Sequence, residues 1–463
     1  MHLPRAWPIW NGLLAMLLAG KAAQAINVDI NSERVTESIK DAASTVTWGM
    51  MTYYHGNESG QIPGAFPDKW WEGAALFLAL LNYWHFTGDA TYNNELSVGM
   101  EWQSGDDGDY MPSNFSSYLG NDDQMFWGVA AMTAAEFKLP DVPDKFSWLS
   151  LAQGVFNTQV KRWDTTTCDG GLRWQIWPMQ AGYTMKNTIS NAGLFQLAAR
   201  LARWTNDDKY AQWAQKVWDW CMSKGLLNNE TWFVADSTSI GDGCSSLGRD
   251  QWSYNYAALF TGAAYMYAYT NGSAKAQWLT AVQGLLNHTF ETFFPPQYGG
   301  NVMEEVACEP NESCNRNEIL FKGLTTSWMA LVATLVPSTY DMIVPKLQTS
   351  AQAAAKTCTG NNNNSCGVRW YTWEWDGWTG MEDQISVSNV LSVSLLNYTK
   401  DSAPVTSTTG GNSTSNPNAG SHDPSGSIHK PMKITAGDRA GAGILTAVFI
   451  SSWIALMIWV LMG

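Results

Sequence analysis

Charge is scarce in this 463-residue chain. Asp, Glu, Lys and Arg together make 15% of it, and 27 basic residues face 41 acidic ones. The formal net charge of −14 excludes nucleic acid as a partner, since binding a phosphate backbone depends on clustered Lys and Arg. Histidine is scarcer still, with six residues. Those at His55, His85 and His288 fall on scattered positions and read as structural. The seven cysteines show no zinc-site spacing, so no metal or other cofactor is expected. Strand-like alternation is rare, and no linker interrupts residues 26–400. What remains is a single helical domain.

The two ends have their own composition. Arg5, the apolar run Gly12–Ala19 and the small-residue site Ala23-Gln24-Ala25 read as a secretory signal peptide over residues 1–25. Residues 401–430 are rich in Ser, Thr, Gly, Asn and Pro and read as a linker too polar for a core. Thr435-Ala436-Gly437, then Asp438-Arg439 and an apolar run from Ile444 to Met462, follow the pattern of a GPI-attachment signal. Gly437 is the expected attachment residue, with 438–463 removed. No Lys or Arg follows the apolar run, as would be usual after a stop-transfer helix. A membrane receptor with a cytoplasmic region is therefore not expected.

Nine sequons support a secreted chain: Asn57, Asn114, Asn229, Asn271, Asn287, Asn311, Asn363, Asn397 and Asn412. In an oxidising compartment most cysteines pair. Cys308–Cys314 and Cys358–Cys366 each close a short loop. Cys168–Cys244 would then join two long loops and leave Cys221 free in a helical pattern, where a buried thiol is comfortable.

A weak internal repeat gives the architecture. Ala79–Tyr92, Leu197–Tyr210 and Ala263–Ser273 each read as an apolar helix ending at Thr-Gly or Thr-Asn, followed by a polar cap and a more amphipathic helix. Extended along the chain, the pattern predicts six apolar helices beginning near Trp70, Asp122, Lys186, Gln251, Lys322 and Glu382. Six amphipathic helices are predicted over 33–54, 91–103, 146–163, 207–224, 274–292 and 338–356. Such a period indicates a closed ring of helix hairpins. The expected fold is all-α, an (α/α)6 barrel of six inner and six outer helices over residues 26–400, and a monomer.

Inner-to-outer turns are short, whereas outer-to-inner connections such as 164–185, 225–250 and 293–321 are long. They gather Trp, Tyr, Asp and most of the cysteines on the face where the inner helices begin, the usual place for a site. Tryptophan totals 26; much of it must be core, while indoles in the long loops can stack on sugar rings. On that face Asp122 and Asp123 stand side by side at a helix start. Glycoside cleavage needs two carboxyl groups. Adjacent acids on a helix diverge by about 100°, which allows carboxyls about 5–6 Å apart, the spacing of retaining enzymes. As a bare pattern, the same pair is an ordinary helix cap.

Five segments decide between these readings: Trp48–Tyr54, Trp70–Ala74, Tyr118–Gln124, Gly170–Ile176 and Asn187–Phe195. With them the chain resembles the fungal GPI-anchored endo-α-1,6-mannanases of glycoside hydrolase family 76. The resemblance implies the same barrel and retaining chemistry on α-1,6-linked mannose, with Asp122 as nucleophile and Asp123 as general acid/base. Substrate contacts are expected from Trp71, Gln124, Arg173, Trp174, Asn191, Tyr254, Asn255 and Trp378. Similar proteins imply mannan or the GPI-glycan core as donor, wall glucan as acceptor and a place at the outer cell surface. A catalytically silent glycan-binding or wall-scaffolding protein on the same fold is the alternative, and intact Asp122 and Asp123 argue against it.

Overall fold

The computed structural model describes residues 26–66, 69–361, 364–399, 403–421, 443–453 and 457. The expected signal segment, the sequon at Asn363 and the attachment residue Gly437 lie outside them. Thirteen helices make up the domain: α1 (Val35–Met51), α2 (Trp71–Thr87), α3 (Asn93–Trp102), α4 (Asn121–Glu136), α5 (Trp148–Lys161), α6 (Thr188–Thr205), α7 (Asp208–Ser223), α8 (Ser253–Tyr269), α9 (Gly272–Phe293), α10 (Arg316–Ile319), α11 (Phe321–Leu335), α12 (Tyr340–Thr357) and α13 (Met381–Ser394).

Helices α2, α4, α6, α8, α11 and α13 each pack on the next, and α13 packs back on α2, so the ring closes. Each has an outer neighbour, α3, α5, α7, α9 and α12 in order, with α1 against α13. This is the expected (α/α)6 barrel. The inner helices contact the barrel axis on one side and outer helices on the other, so nearly every position of α4 and α13 is buried. The outer helix α7 buries a stripe of Tyr210, Ala214, Val217, Trp218, Trp220 and Cys221, whereas the outer helix α5 is buried at nearly every position.

The repeat noticed in the sequence has a physical signature. Thr87, Thr205 and Thr270 each donate a side-chain hydrogen bond to the carbonyl four residues back, closing the last turn of α2, α6 and α8. The chain then reverses through a left-handed residue, Gly88 (φ 80°) or Asn206 (φ 53°). In the third copy the left-handed residue is Gly272 instead.

The long connections lie where the inner helices begin. Two of them form a small antiparallel sheet of β1 (Met185–Asn187), β2 (Ser237–Ser239) and β3 (Leu247–Gly248), in the order β1-β2-β3 with Lys186 opposite Thr238. Disulfides join Cys168–Cys244, Cys308–Cys314 and Cys358–Cys366, and Cys221 is a buried free thiol. The eight sequon asparagines among the described residues are all exposed.

One boundary differs from the sequence reading. Residues 403–421 are not a free linker: they lie along α5. Val405 N–H donates to the Glu136 carbonyl, Ser413 caps the Leu149 N–H, and Asn157 donates to the carbonyls of Pro417 and Ala419. A polar segment has no core of its own, yet its backbone groups are satisfied by side chains of the barrel. Among the described residues, no helix is long and apolar enough to cross a membrane.

Candidate active site

Helix α4 begins where two loops hold its first turn in place. The Asn121 N–H donates to the Trp174 carbonyl (2.8 Å), and its side chain donates to the Arg173 carbonyl (2.8 Å). Gln159 and Arg162, at the end of α5, bond Asn121 from behind. This fixes the orientation of the next two residues. Asp123 accepts the Gly120 N–H (2.7 Å), and Asp122 accepts the Asp123 N–H (3.1 Å). The Trp174 indole also donates to Asp122, and the Asn187 amide approaches it at 3.5 Å.

Gly120 is required by this packing. A Cβ there would stand 2.3 Å from an oxygen of Asp122 and 3.2 Å from the Trp174 carbonyl. Burial raises the pKa of both carboxyls. Asp122 is pushed up further by the charge of Asp123, and Asp123 is pushed up to about 6. At mildly acidic pH the pair therefore holds a proton.

The two acids face a cleft of about 290 Å³. Its walls are aromatic and polar in turn. Trp71 packs on Phe126 (centroids 4.9 Å apart), Tyr254 stacks on Phe321 (3.7 Å, 11°), and Trp252 meets Phe321 edge-on. Asn187, Asp236, Asn317 and Glu318 supply polar groups. Asn317 Oδ1 accepts the Trp71 indole N–H (3.2 Å), and Asn255 donates to Asp236 (3.1 Å). Hydroxyl-rich rings need this combination: flat apolar surface for their C–H faces and carboxylates or amides for their hydroxyls.

Of the eight contacts expected from sequence, Trp71, Trp174 and Tyr254 line the cleft. The other five do not. Gln124 is buried one turn into α4, bonded to the Asp109 carbonyl, Thr158 and Arg162. Asn191 is buried likewise and bonds Leu172 through both its backbone groups. Asn255 sits beneath Asp236 rather than in the cleft. Arg173 turns to a separate hollow, paired with Asp164 (2.8 Å) and stacked over Tyr183. Trp378 lines a second cavity with Arg369 and Asp376. Gln124, Asn191 and Asn255 sit about one turn into their helices, and a residue at that depth already lies below the mouth.

Asp236, Asn317 and Glu318 were not expected. Asp236 lies in a long irregular connection, and Asn317 and Glu318 in the four-residue α10 within another, too short for periodicity to mark them. Asn187, which opens the Asn187–Phe195 segment that carries the resemblance, precedes α6 just as Gly120 precedes α4. Lys186 and Lys322 stand near the same face but are staples: Lys186 donates to the Thr167 and Gly170 carbonyls, and Lys322 pairs with Glu309 and bonds the Val368 carbonyl.

A closed (α/α)6 barrel with paired carboxyls in an aromatic cleft defines a glycan-cleaving class of protein. The chain belongs to glycosyl hydrolase family 76, which it matches over residues 38–408. It is 41% identical over 453 residues to the mannan endo-1,6-alpha-mannosidase DCW1 of Saccharomyces cerevisiae, covering 97% of this chain and 98% of that one. Among solved structures it is similar to Dfg5 from Chaetomium thermophilum in complex with glucosamine, with 42% identity, a TM-score of 0.79, and coverage of 85% of this chain and 97% of that one. The barrel is also that of an α-1,6-mannanase from Salegentibacter (18% identity, TM-score 0.61, 77% and 99% covered), solved as an inactive variant lacking two neighbouring aspartates, with α-1,6-mannotetrose bound.

Proposed function

We propose that this protein is an endo-acting α-1,6-mannosidase or transglycosylase of the fungal cell surface, working by a retaining mechanism. The carrying observation is the Asp122–Asp123 pair at the start of α4, facing an aromatic cleft. Asp122 is the nucleophile. It receives the Asp123 N–H, the Trp174 indole and the Asn187 amide, the donors that stabilise its charge as it attacks the anomeric carbon. Asp123 is the general acid/base: the buried pair holds one proton at mildly acidic pH, and with that proton on Asp123 and Asp122 ionised it passes to the departing glycosidic oxygen, after which Asp123 takes one from the incoming hydroxyl. Water as that hydroxyl gives hydrolysis; a sugar hydroxyl gives transfer from the same covalent intermediate.

The donors are mannan or the mannose core of a GPI glycan. In the second case the attached protein passes to wall glucan, so anchored proteins and glucan are its partners. Residues 1–25 direct secretion, the sequons carry N-glycans, and a GPI anchor on Gly437 replaces residues 438–463. The test is to incubate the purified protein with α-1,6-mannooligosaccharides and follow the new reducing end by NMR. The α-anomer should appear first. First appearance of the β-anomer would exclude retention, and saturable binding without cleavage would favour the silent glycan-binding reading.

A further inference from the structure

The segment from Cys308 to Ile319 has a cavity on each side. Asn315, Asn317 and Glu318 face the cleft of the Asp pair, while Glu309, Glu312, Cys314 and Ile319 face a second hollow, also of about 290 Å³. The far wall of that hollow is the 368–378 loop, with Arg369, Asp376 and Trp378. The loop is rigid. Asp376 accepts the N–H groups of Val368 and Arg369 (2.9 Å each) and of Trp378 (3.2 Å), and the Trp375 indole donates to the Trp378 carbonyl (2.6 Å). Opposite it, the Cys308–Cys314 disulfide constrains the dividing segment.

The charged groups that line this hollow are all paired. Glu309 is matched by Lys322 (2.6 Å), and Arg369 pairs with Glu312 and approaches Asp376 (3.6 Å). Three carboxylates and two cations thus cancel most of each other's field, so neither a cation nor an anion is drawn in strongly. What remains is an indole beside fixed hydrogen-bonding groups, one of them the planar Arg369 guanidinium. That chemistry suits a neutral polyhydroxylated ring. The cleft of the Asp pair differs: its lining has four acids, Asp122, Asp123, Asp236 and Glu318, and no Lys or Arg.

We propose that the second cavity is a glycan subsite that takes a neutral hexopyranose of a chain extending from the first cleft, across the Cys308–Ile319 segment. The proposal rests on the glycan-cleaving function argued above. Both cavities are lined by the long connections at the inner-helix starts and share one dividing segment, so a single oligosaccharide can engage both. Binding in two linked sites multiplies affinity without any new contact at the reacting bond.

The experiment compares short and long α-1,6-mannooligosaccharides, the short ones sized for the first cleft alone, on the wild-type protein and on Trp378→Ala and Trp378→Phe. The expected result is that Trp378→Ala lowers the long-to-short ratio of kcat/KM at least fivefold, and that Trp378→Phe, which keeps an aromatic face, restores most of it. Transfer yield to an added oligosaccharide acceptor then distinguishes the sides: loss of transfer with donor cleavage intact places the subsite on the acceptor side, and the reverse on the donor side. An unchanged ratio in folded Trp378→Ala overturns the proposal. If that variant does not fold, Arg369→Gln is read the same way. If the wild-type protein cleaves neither substrate, the functional reading fails first. Calorimetric binding of the long oligosaccharide then still decides the subsite, which predicts at least fivefold weaker binding in Trp378→Ala.

Discussion

Gly120 and the two aspartates after it act as one unit. The glycine is needed for space rather than for backbone freedom, because its φ of −84° is open to any residue. A methyl group there would meet Asp122 at 2.3 Å and must displace that carboxyl. Gly120→Ala should therefore lower kcat by about 10²-fold, the usual cost of misplacing a reacting group by an ångström, while circular dichroism stays that of a folded barrel. The pH dependence follows from Asp123. The proton donor must be protonated, and its pKa is pushed up to about 6. On a substrate with a poor leaving group, kcat/KM should fall as pH rises through about 6, approaching tenfold per pH unit. An activated aryl mannoside needs little protonation, so its first step should lack that limb. Loss of the limb for both substrates, or for neither, would show that Asp123 is not the acid.

At the scale of elements, two inner helices are fastened alike. Lys186, just before α6, and Lys322, in the first turn of α11, each send a buried ammonium into a neighbouring loop, the first to the carbonyls of Thr167 and Gly170 and to Asp164, the second to the Val368 carbonyl and Glu309. Each cation also lies near an indole, Trp220 or Trp370. Lys186→Met would leave two carbonyls without this donor and Asp164 with Arg173 as its cation, which costs about 1–3 kcal/mol. Denaturant unfolding should show that loss; a change under about 0.5 kcal/mol would mean water replaces the ammonium. The helices themselves were legible in sequence, since predicted inner starts near Trp70, Asp122, Lys186, Gln251, Lys322 and Glu382 meet observed ones at Trp71, Asn121, Thr188, Ser253, Phe321 and Met381. Apolar periodicity is a local signal and survives without coordinates. The cleft was less legible. Gln124 and Asn191 follow the right helix starts, but one turn of depth decides whether a side chain meets substrate or core. Asp236 and Asn317 reach the cleft by long-range closure of loops that have no period to read.

At the scale of the whole molecule, buried acids set the response to pH. Burial is the first cause in each case: Glu72 and Glu101 are pushed up to about 7, Asp109 to about 6 and Glu305 to about 8. A carboxyl whose pKa is raised on folding binds its proton more tightly in the folded state. Its contribution is therefore fully present below the unfolded pKa, near 4, and is lost as pH rises through the folded value. Asp164, which hydrogen bonds from Thr166 and Thr167 and the charge of Lys186 hold down despite partial burial, works in the opposite sense and gives up stability as pH falls below about 4. Thermal unfolding should peak near pH 5 and fall by on the order of 5 °C by pH 8.5. A Tm that rises over that interval would contradict the burial of these groups. The packed strap of residues 403–421 belongs to this scale too: composition marked it as a linker, and only the groove along α5 gives its polar backbone a place.

The central claim is the division of labour between the two aspartates, and covalent trapping tests it most directly. Asp123→Asn, incubated with an activated α-mannoside, should form a glycosyl-enzyme and then stall, because breakdown lacks its base; peptide mass mapping should find the mannosyl group on Asp122. Asp122→Asn should form no adduct and lose turnover by at least about 10³-fold. Both variants should remain folded. An adduct at position 123 of the wild-type protein, or full turnover in Asp122→Asn, would contradict the account.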